Sequence, residues 1–154
     1  WRIGYIGAPL WIAKAVTKLQ GQFTSGACTI AQKAAEAALN AGSESCLEMK
    51  KVFLKRRDLV LGLLKEIDGL KLNVPLGAFY VFPEVSYFLG KSYQNHTINS
   101  SSDLALYLLE TEYVATVGGD AFGSLECLRF SYATSEDTLV EAIKRIKRAL
   151  EKLK

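Results

Sequence analysis

The apolar pattern predicts an α/β fold, a small sheet covered by helices, and three observations carry that expectation. From residue 43 onward the segments alternate as helix, strand, strand, helix, strand, strand, helix. The helical segments repeat apolar residues at three- and four-residue steps, whereas the strand segments are short, β-branched or aromatic, and bounded by Gly and Pro. The chain has 154 residues, 49% hydrophobic and 23% charged, the composition of a globular protein large enough to bury a core.

The elements follow in order. Residues 1–8 are rich in aromatic and branched side chains (Trp1, Ile3, Tyr5, Ile6) and read as a buried strand ended by Pro9. Residues 10–19 form a short helix with Ile12, Ala15, Val16 and Leu19 on one face, and residues 21–26 a loop. Residues 29–39 form an alanine-rich helix closed by Ala41-Gly42-Ser43. A longer helix spans 43–67, with Met49, Val52, Phe53, Leu59, Val60, Leu63, Leu64 and Ile67 in period; Asp68-Gly69 stops it. Strands are expected at 70–74 and 78–82 around Pro75-Leu76-Gly77. Ser101 or Ser102 caps a helix to about Glu110. Strands at 113–117 and 127–132 flank the loop 118–123. A last helix starts at a Ser135 cap and keeps Leu139, Ile143, Ile146, Leu150 and Leu153 on one face. The first 42 residues, a lone strand and two apolar helices, cannot satisfy their own edges. The expected division is therefore 1–42 and 43–154.

Charge and composition narrow the function classes. The net charge of +3 is spread along the chain. Its densest basic stretch (Lys50, Lys51, Lys55, Arg56, Arg57) alternates with apolar residues at helical spacing and reads as a solvated helix face rather than a nucleic-acid patch. Cys28, Cys46 and Cys127 are odd in number and widely spaced, against a disulfide framework or a zinc site and for a reducing compartment. One histidine, His96, lies in a polar run and is expected in an exposed loop, so a His-based metal site or a Ser-His-Asp triad has little to build on. Gly4, Gly7 and Pro9 interrupt the opening apolar run, against a signal peptide, and no apolar stretch approaches a membrane span.

Two arginines stand in apolar strand segments. Arg2 in Trp1-Arg2-Ile3-Gly4-Tyr5 and Arg129 in Cys127-Leu128-Arg129-Phe130-Ser131-Tyr132 each allow a structural ion pair, and Arg2 also allows simple exposure. The sharper, less favoured reading of each is an anion site, because a guanidinium forks onto phosphate or carboxylate. Together they suit a ligand with two separate acidic groups. The loop 118–123 matches neither the Rossmann nor the P-loop pattern and reads as a turn more than a phosphate cradle.

An ordered set of motifs resembles fold-type I aminotransferases of the aspartate aminotransferase type. Trp1-Arg2-Ile3-Gly4-Tyr5-Ile6 is similar to that family's Gly-Trp-Arg-x-Gly-Tyr segment, and residues 20–35, with Thr24-Ser25 and Ile30-Ala31-Gln32, to the helix-loop-helix after it. Arg56-Arg57-Asp58, Pro75-Leu76-Gly77-Ala78-Phe79-Tyr80, Ala121-Phe122-Gly123 and Leu128-Arg129-Phe130-Ser131-Tyr132-Ala133 follow in the family's order. One departure is Gly118-Gly119-Asp120 where Pro-Gly-x is commoner.

The resemblance implies a transaminase that uses pyridoxal 5'-phosphate to move an amino group between an L-amino acid, aspartate first among them, and a 2-oxo acid. It implies that Arg2 binds the cofactor phosphate, that Arg129 binds the substrate α-carboxylate and that Phe79 lines the substrate pocket. The Thr24-Ser25 loop resembles one that approaches a neighbouring subunit's site. The lysine that holds the cofactor would precede Arg2, so no catalytic residue is expected in this chain: Lys14, Lys18 and Lys33 stand in the wrong context. The expectation is the end of a large cofactor domain (1–42) joined to a small C-terminal domain (43–154), inactive alone and belonging with the preceding part of a cytoplasmic homodimer. Another enzyme of the same fold, a lyase or an aminocyclopropane-carboxylate synthase, shares both arginines. A stand-alone module for acidic ligands would use them too.

Overall fold

The computed structural model describes residues 2–154 and divides into two compact units, Trp1–Glu48 and Met49–Lys154. In the first, α1 (Leu10–Phe23) and α2 (Thr29–Asn40) are the regular elements. The expected opening strand does not form. Trp1 lies outside the described residues, and residues 2–9 have no regular structure. A strand needs a neighbour to take its N–H and C=O groups, and none of the described residues pairs with this segment. Arg2 also breaks the extended path, with a left-handed φ of 56°. α1 runs past Gly21 to Phe23, into the expected loop, because Thr24 N–H still reaches the Gln20 carbonyl and closes a last turn.

α3 (Glu44–Leu64) begins in the first unit and delivers Val60, Leu61 and Leu64 to the core of the second. Beyond it Gly69 turns with φ 91°, and the Tyr87 ring stands where a side chain would project. The expected strand at 70–74 shrinks to one bridge, Lys71 with Glu84. β1 (Tyr80–Val81) keeps only the centre of the expected 78–82. A hairpin that periodicity did not announce, β2 (Ser92–Tyr93) with β3 (His96–Thr97), turns through Gln94 at φ 52°. His96 is therefore half-buried strand, not exposed loop. Its ring lies 5.3 Å from that of Tyr107 and its Nδ1 3.7 Å from a Glu110 carboxylate oxygen.

α4 (Ser101–Glu112) is capped by Ser100, whose hydroxyl accepts the Asp103 N–H at 3.0 Å, so Ser101 and Ser102 are its first helical residues rather than its caps. It ends at Tyr113 in the left-handed region, φ 57°, a geometry incompatible with the strand expected at 113–117; only β4 (Val117–Gly118) remains of it. β5 (Leu128–Ser131) follows, then α5 (Glu136–Leu150) behind the expected Ser135 cap. α5 carries Glu136 and Asp137 in its first turn and Lys147 and Arg148 in its last, each sign opposing the helix dipole.

The main sheet is antiparallel in the order β1-β5-β4, with Tyr80 opposite Ser131, Val81 opposite Phe130, Val117 opposite Arg129 and Gly118 opposite Leu128. Alternation along β5 sends Leu128 and Phe130 into the core and leaves Arg129 and Ser131 on the other face. The core face packs against Leu104, Tyr107 and Leu108 of α4 and Ile143 and Ile146 of α5. Each fully buried leucine contributes about 2 kcal/mol through the apolar surface it removes from water. This α/β architecture holds the outer face of β5 rigid from behind.

Candidate functional site

Arg129 owes its setting to register. The Cζ of its guanidinium lies 4.5 Å from the centroid of the Phe122 ring and 5.4 Å from that of Tyr80. Tyr80 reaches it from β1, which pairs with β5, and Phe122 from the short 3-10 turn Gly119–Phe122 that links β4 to β5. Phe82 meets Phe122 edge-on at 6.0 Å and closes the aromatic patch. Among the described residues no carboxylate pairs with Arg129. A ring face attracts a cation without using its N–H donors. The arrangement thus keeps a half-buried guanidinium in place and leaves its planar fork for an incoming acid.

Phe79 stands on the same unit, half exposed, with its ring edge-on to Tyr80 at 5.8 Å. Three hydrogen bonds fix the backbone of the 75–79 segment. Tyr132 N–H donates to the Phe79 carbonyl at 2.8 Å, Tyr132 OH to the Ala78 carbonyl at 3.2 Å, and Arg57 Nη1 to the Pro75 carbonyl at 3.1 Å. Arg57 in turn lies against Asp58 at 2.7 Å, so the Arg-Arg-Asp sequence has a structural role and ties the 75–79 loop to α3. Burial pushes the Tyr132 hydroxyl above the usual phenol range, so it stays a neutral donor. Phe79 and Arg129 are thus linked through Tyr80.

Arg2 belongs to the other unit. It is exposed, and among the described residues no carboxylate neutralises it. Thr24 and Ser25 sit at the end of α1, with Ser25 at φ 60°. Lys14 and Lys18 are exposed on α1, and Lys33 pairs with Glu36 at 2.7 Å. Cys28 precedes α2, and the N–H groups of Ala31 and Ile30 draw its thiol below the usual range. Among the described residues no three of His, Cys, Asp and Glu gather as a metal site would need, and no helix is long and apolar enough to cross a membrane.

Sequence reasoning singled out Arg129 and Phe79 but missed Tyr80, Phe122 and Phe82, the rings around the guanidinium. A signal was present: strand alternation puts Tyr80 and Phe82 on one face, and Phe122 stands beside a glycine in a turn. Which strand they face is a matter of register, which local sequence does not reveal. The unit's strongest charge cluster lies apart from this face. Buried Glu112 at the end of α4 is held by Arg148 and Lys152, and the Arg148 guanidinium foremost lowers its pKa to about 2. Its role is structural, because it bolts α4 to α5.

Known proteins resemble this chain over most of its length. Residues 1–146 match the family described as aminotransferase class I and II. A bifunctional aspartate aminotransferase and glutamate/aspartate-prephenate aminotransferase of Petunia hybrida is 47% identical over 158 residues, covering 100% of this chain and 33% of its own length. A probable aspartate/prephenate aminotransferase of Rhizobium leguminosarum bv. phaseoli is 47% identical over 96% of this chain and 37% of its own. Among solved structures, the aspartate aminotransferase from Rhizobium meliloti superposes with a TM-score of 0.89 at 44% identity, over 100% of this chain and 39% of that one. The Thermus thermophilus aspartate aminotransferase with maleate superposes at 0.80 with 37% identity, over 97% of this chain and 37% of that one. The chain spans about a third of the length of the curated relatives it matches.

Proposed function

We propose, given that the chain belongs to the aminotransferase class I and II family of pyridoxal-phosphate enzymes, that it is the C-terminal portion of an aspartate-type aminotransferase and carries two of its anion clamps. The observation that carries this reading is Arg129: a cation braced by Tyr80 and Phe122, with no acidic partner among the described residues, on the open face of a rigid sheet. In this reading residues 1–42 end the large cofactor domain and residues 43–154 are the small domain.

The residues present fit the cofactor. Arg2 offers an exposed guanidinium without a carboxylate among the described residues, the donor chemistry a phosphate dianion takes. When bound, pyridoxal phosphate supplies the electron sink for amino-group chemistry. Arg2 binds its phosphate. Arg129 forks onto the α-carboxylate of the amino acid and fixes how the substrate presents its Cα–H bond. Phe79 lines the substrate pocket, with the Tyr80 ring edge-on beside it. No lysine of this chain stands in the family's cofactor-lysine context, so the chain alone is proposed to be inactive and to work with the preceding part of the same polypeptide. Support for an acidic substrate comes from the relatives named for aspartate and prephenate, and from the relative solved with maleate. The free cysteines support a reducing, cytoplasmic setting. The exposed Trp11 and Phe23 of α1 support a homodimer or a further domain as their cover.

The test compares the two arginines in the full-length enzyme. Arg129→Lys keeps the charge and loses the fork, so kcat/KM is expected to fall about tenfold to a hundredfold with cofactor affinity unchanged. Arg2→Ala is expected to weaken cofactor retention and to lower Tm in the holo form more than in the apo form. Retained kcat/KM in Arg129→Lys together with lost cofactor would reverse the two roles.

A further inference from the structure

The parts that hold the Arg129 surroundings lie one layer farther out, where the start of α4 meets the turn Gly119–Phe122. Two hydrogen bonds fasten them. The Ser102 hydroxyl donates to Asp120 Oδ1 at 2.8 Å. The Gly119 N–H donates to Ser101 Oγ at 3.1 Å and shares itself with the Cys127 carbonyl at 2.8 Å. Ser101 is fully buried, whereas Ser102 and Asp120 are exposed.

Two glycines make the approach possible. A Cβ on Gly119 would strike the carbonyl oxygens of Ser124 and Cys127, so the backbone itself closes on that residue. A Cβ on Gly118 would strike Ser102 Oγ and Asp120 Oδ1, the two ends of the hydrogen bond. Glycine at 118 therefore makes room for the Ser102–Asp120 bond. The turn closes at Gly123, φ 76°, and its last residue is Phe122, the ring nearest the Arg129 guanidinium. Phe122 is half exposed, so the backbone of the turn, more than a socket around the ring, sets where the ring stands. A two-pronged grip on a carboxylate tolerates errors of only about 0.5 Å and 10–20°.

We propose that Ser102 and Asp120, with Ser101 beneath them, are positioning residues for Arg129, acting through the turn and the Phe122 ring; this rests on the reading of Arg129 as the carboxylate arginine. Neither side chain touches ligand. They set the grip of Arg129 by holding one of the two rings that brace it.

The experiment uses the full-length holoenzyme and maleate, a dicarboxylate that cannot be transaminated, titrated through the cofactor absorbance. Asp120→Ala is expected to weaken maleate binding about three- to tenfold, to raise KM by the same factor, and to leave kcat within about twofold and cofactor affinity unchanged. Asp120→Asn keeps the acceptor without the charge and should restore maleate binding. Gly118→Ala, whose methyl parts the same two side-chain ends, should behave like Asp120→Ala. In an Arg129→Lys background Asp120→Ala should cost nothing further, because the fork it positions is gone. The proposal falls if maleate affinity is unchanged in Asp120→Ala, if Asn behaves like Ala, or if the loss recurs at full size in the Arg129→Lys background. If Arg129→Lys alone leaves maleate affinity intact, the carboxylate reading fails and takes this one with it. If that variant weakens binding and Asp120→Ala does not, the positioning role alone is overturned.

Discussion

α1 and α5 are both amphipathic helices, yet α1 buries none of Leu10, Trp11, Val16, Leu19 and Phe23, whereas α5 buries Leu139, Ile143, Ile146 and Leu150. The contrast extends to the units they belong to. Among the described residues before Met49 only Ala31 is buried, while the rest of the chain assembles a continuous core from α3, α4, α5 and the sheet. An apolar face states that a helix needs a cover; it does not state that the same stretch of chain provides one. The second unit brings its own cover. The first leaves that face uncovered among the described residues, and the chain spans about a third of the length of the curated relatives it matches.

The sharpest way to break this comparison is to cut a side chain from each unit. Leu104 is fully buried, and Leu104→Ala is expected to destabilise the chain by about 2–5 kcal/mol in urea unfolding. A loss under about 1 kcal/mol would mean that the core is not what holds the second unit together.

Glu112→Gln tests the same unit through its charges. The carboxylate is buried and its pKa is lowered to about 2, with Arg148 as the main cause. A group whose folded pKa is depressed contributes stability above its unfolded pKa and loses it as pH falls through the folded one. The native chain should therefore lose stability between about pH 4.5 and pH 2, and the Gln variant should lack that part of the acid dependence. At neutral pH the substitution is expected to cost about 2 kcal/mol, because Arg148 is half exposed and regains water. Equal acid profiles for the two proteins would remove Glu112 as the bolt between α4 and α5.

The smallest effect is expected in the first unit. Trp11 is 74% exposed, so Trp11→Ser should change the stability of this chain by no more than about 0.5 kcal/mol. In the full-length enzyme the same substitution should cost clearly more, and that difference is the readout. Equal, small effects in both would leave α1 without a cover anywhere.

Local sequence was enough wherever the deciding interactions are local. The five helices and the Ser135 cap were legible because helical hydrogen bonds and caps join residues three or four apart, although α3 ends at Leu64 and not at the expected stop Asp68-Gly69. Arg129 was legible as a lone charge in an apolar strand, and the motif order around it pointed to the family. Tertiary structure decided the rest. It reduced the strands expected at 70–74 and 113–117 to a bridge and a two-residue strand, added the β2–β3 hairpin, and left residues 2–9 unpaired. It also chose the Tyr80 and Phe122 rings that brace Arg129 and the serines of α4 that pin the turn beside it. A strand takes its hydrogen bonds from residues far away in the chain, and a site takes its neighbours from strand register. Neither is written in the residues next door, so only the folded chain sets them.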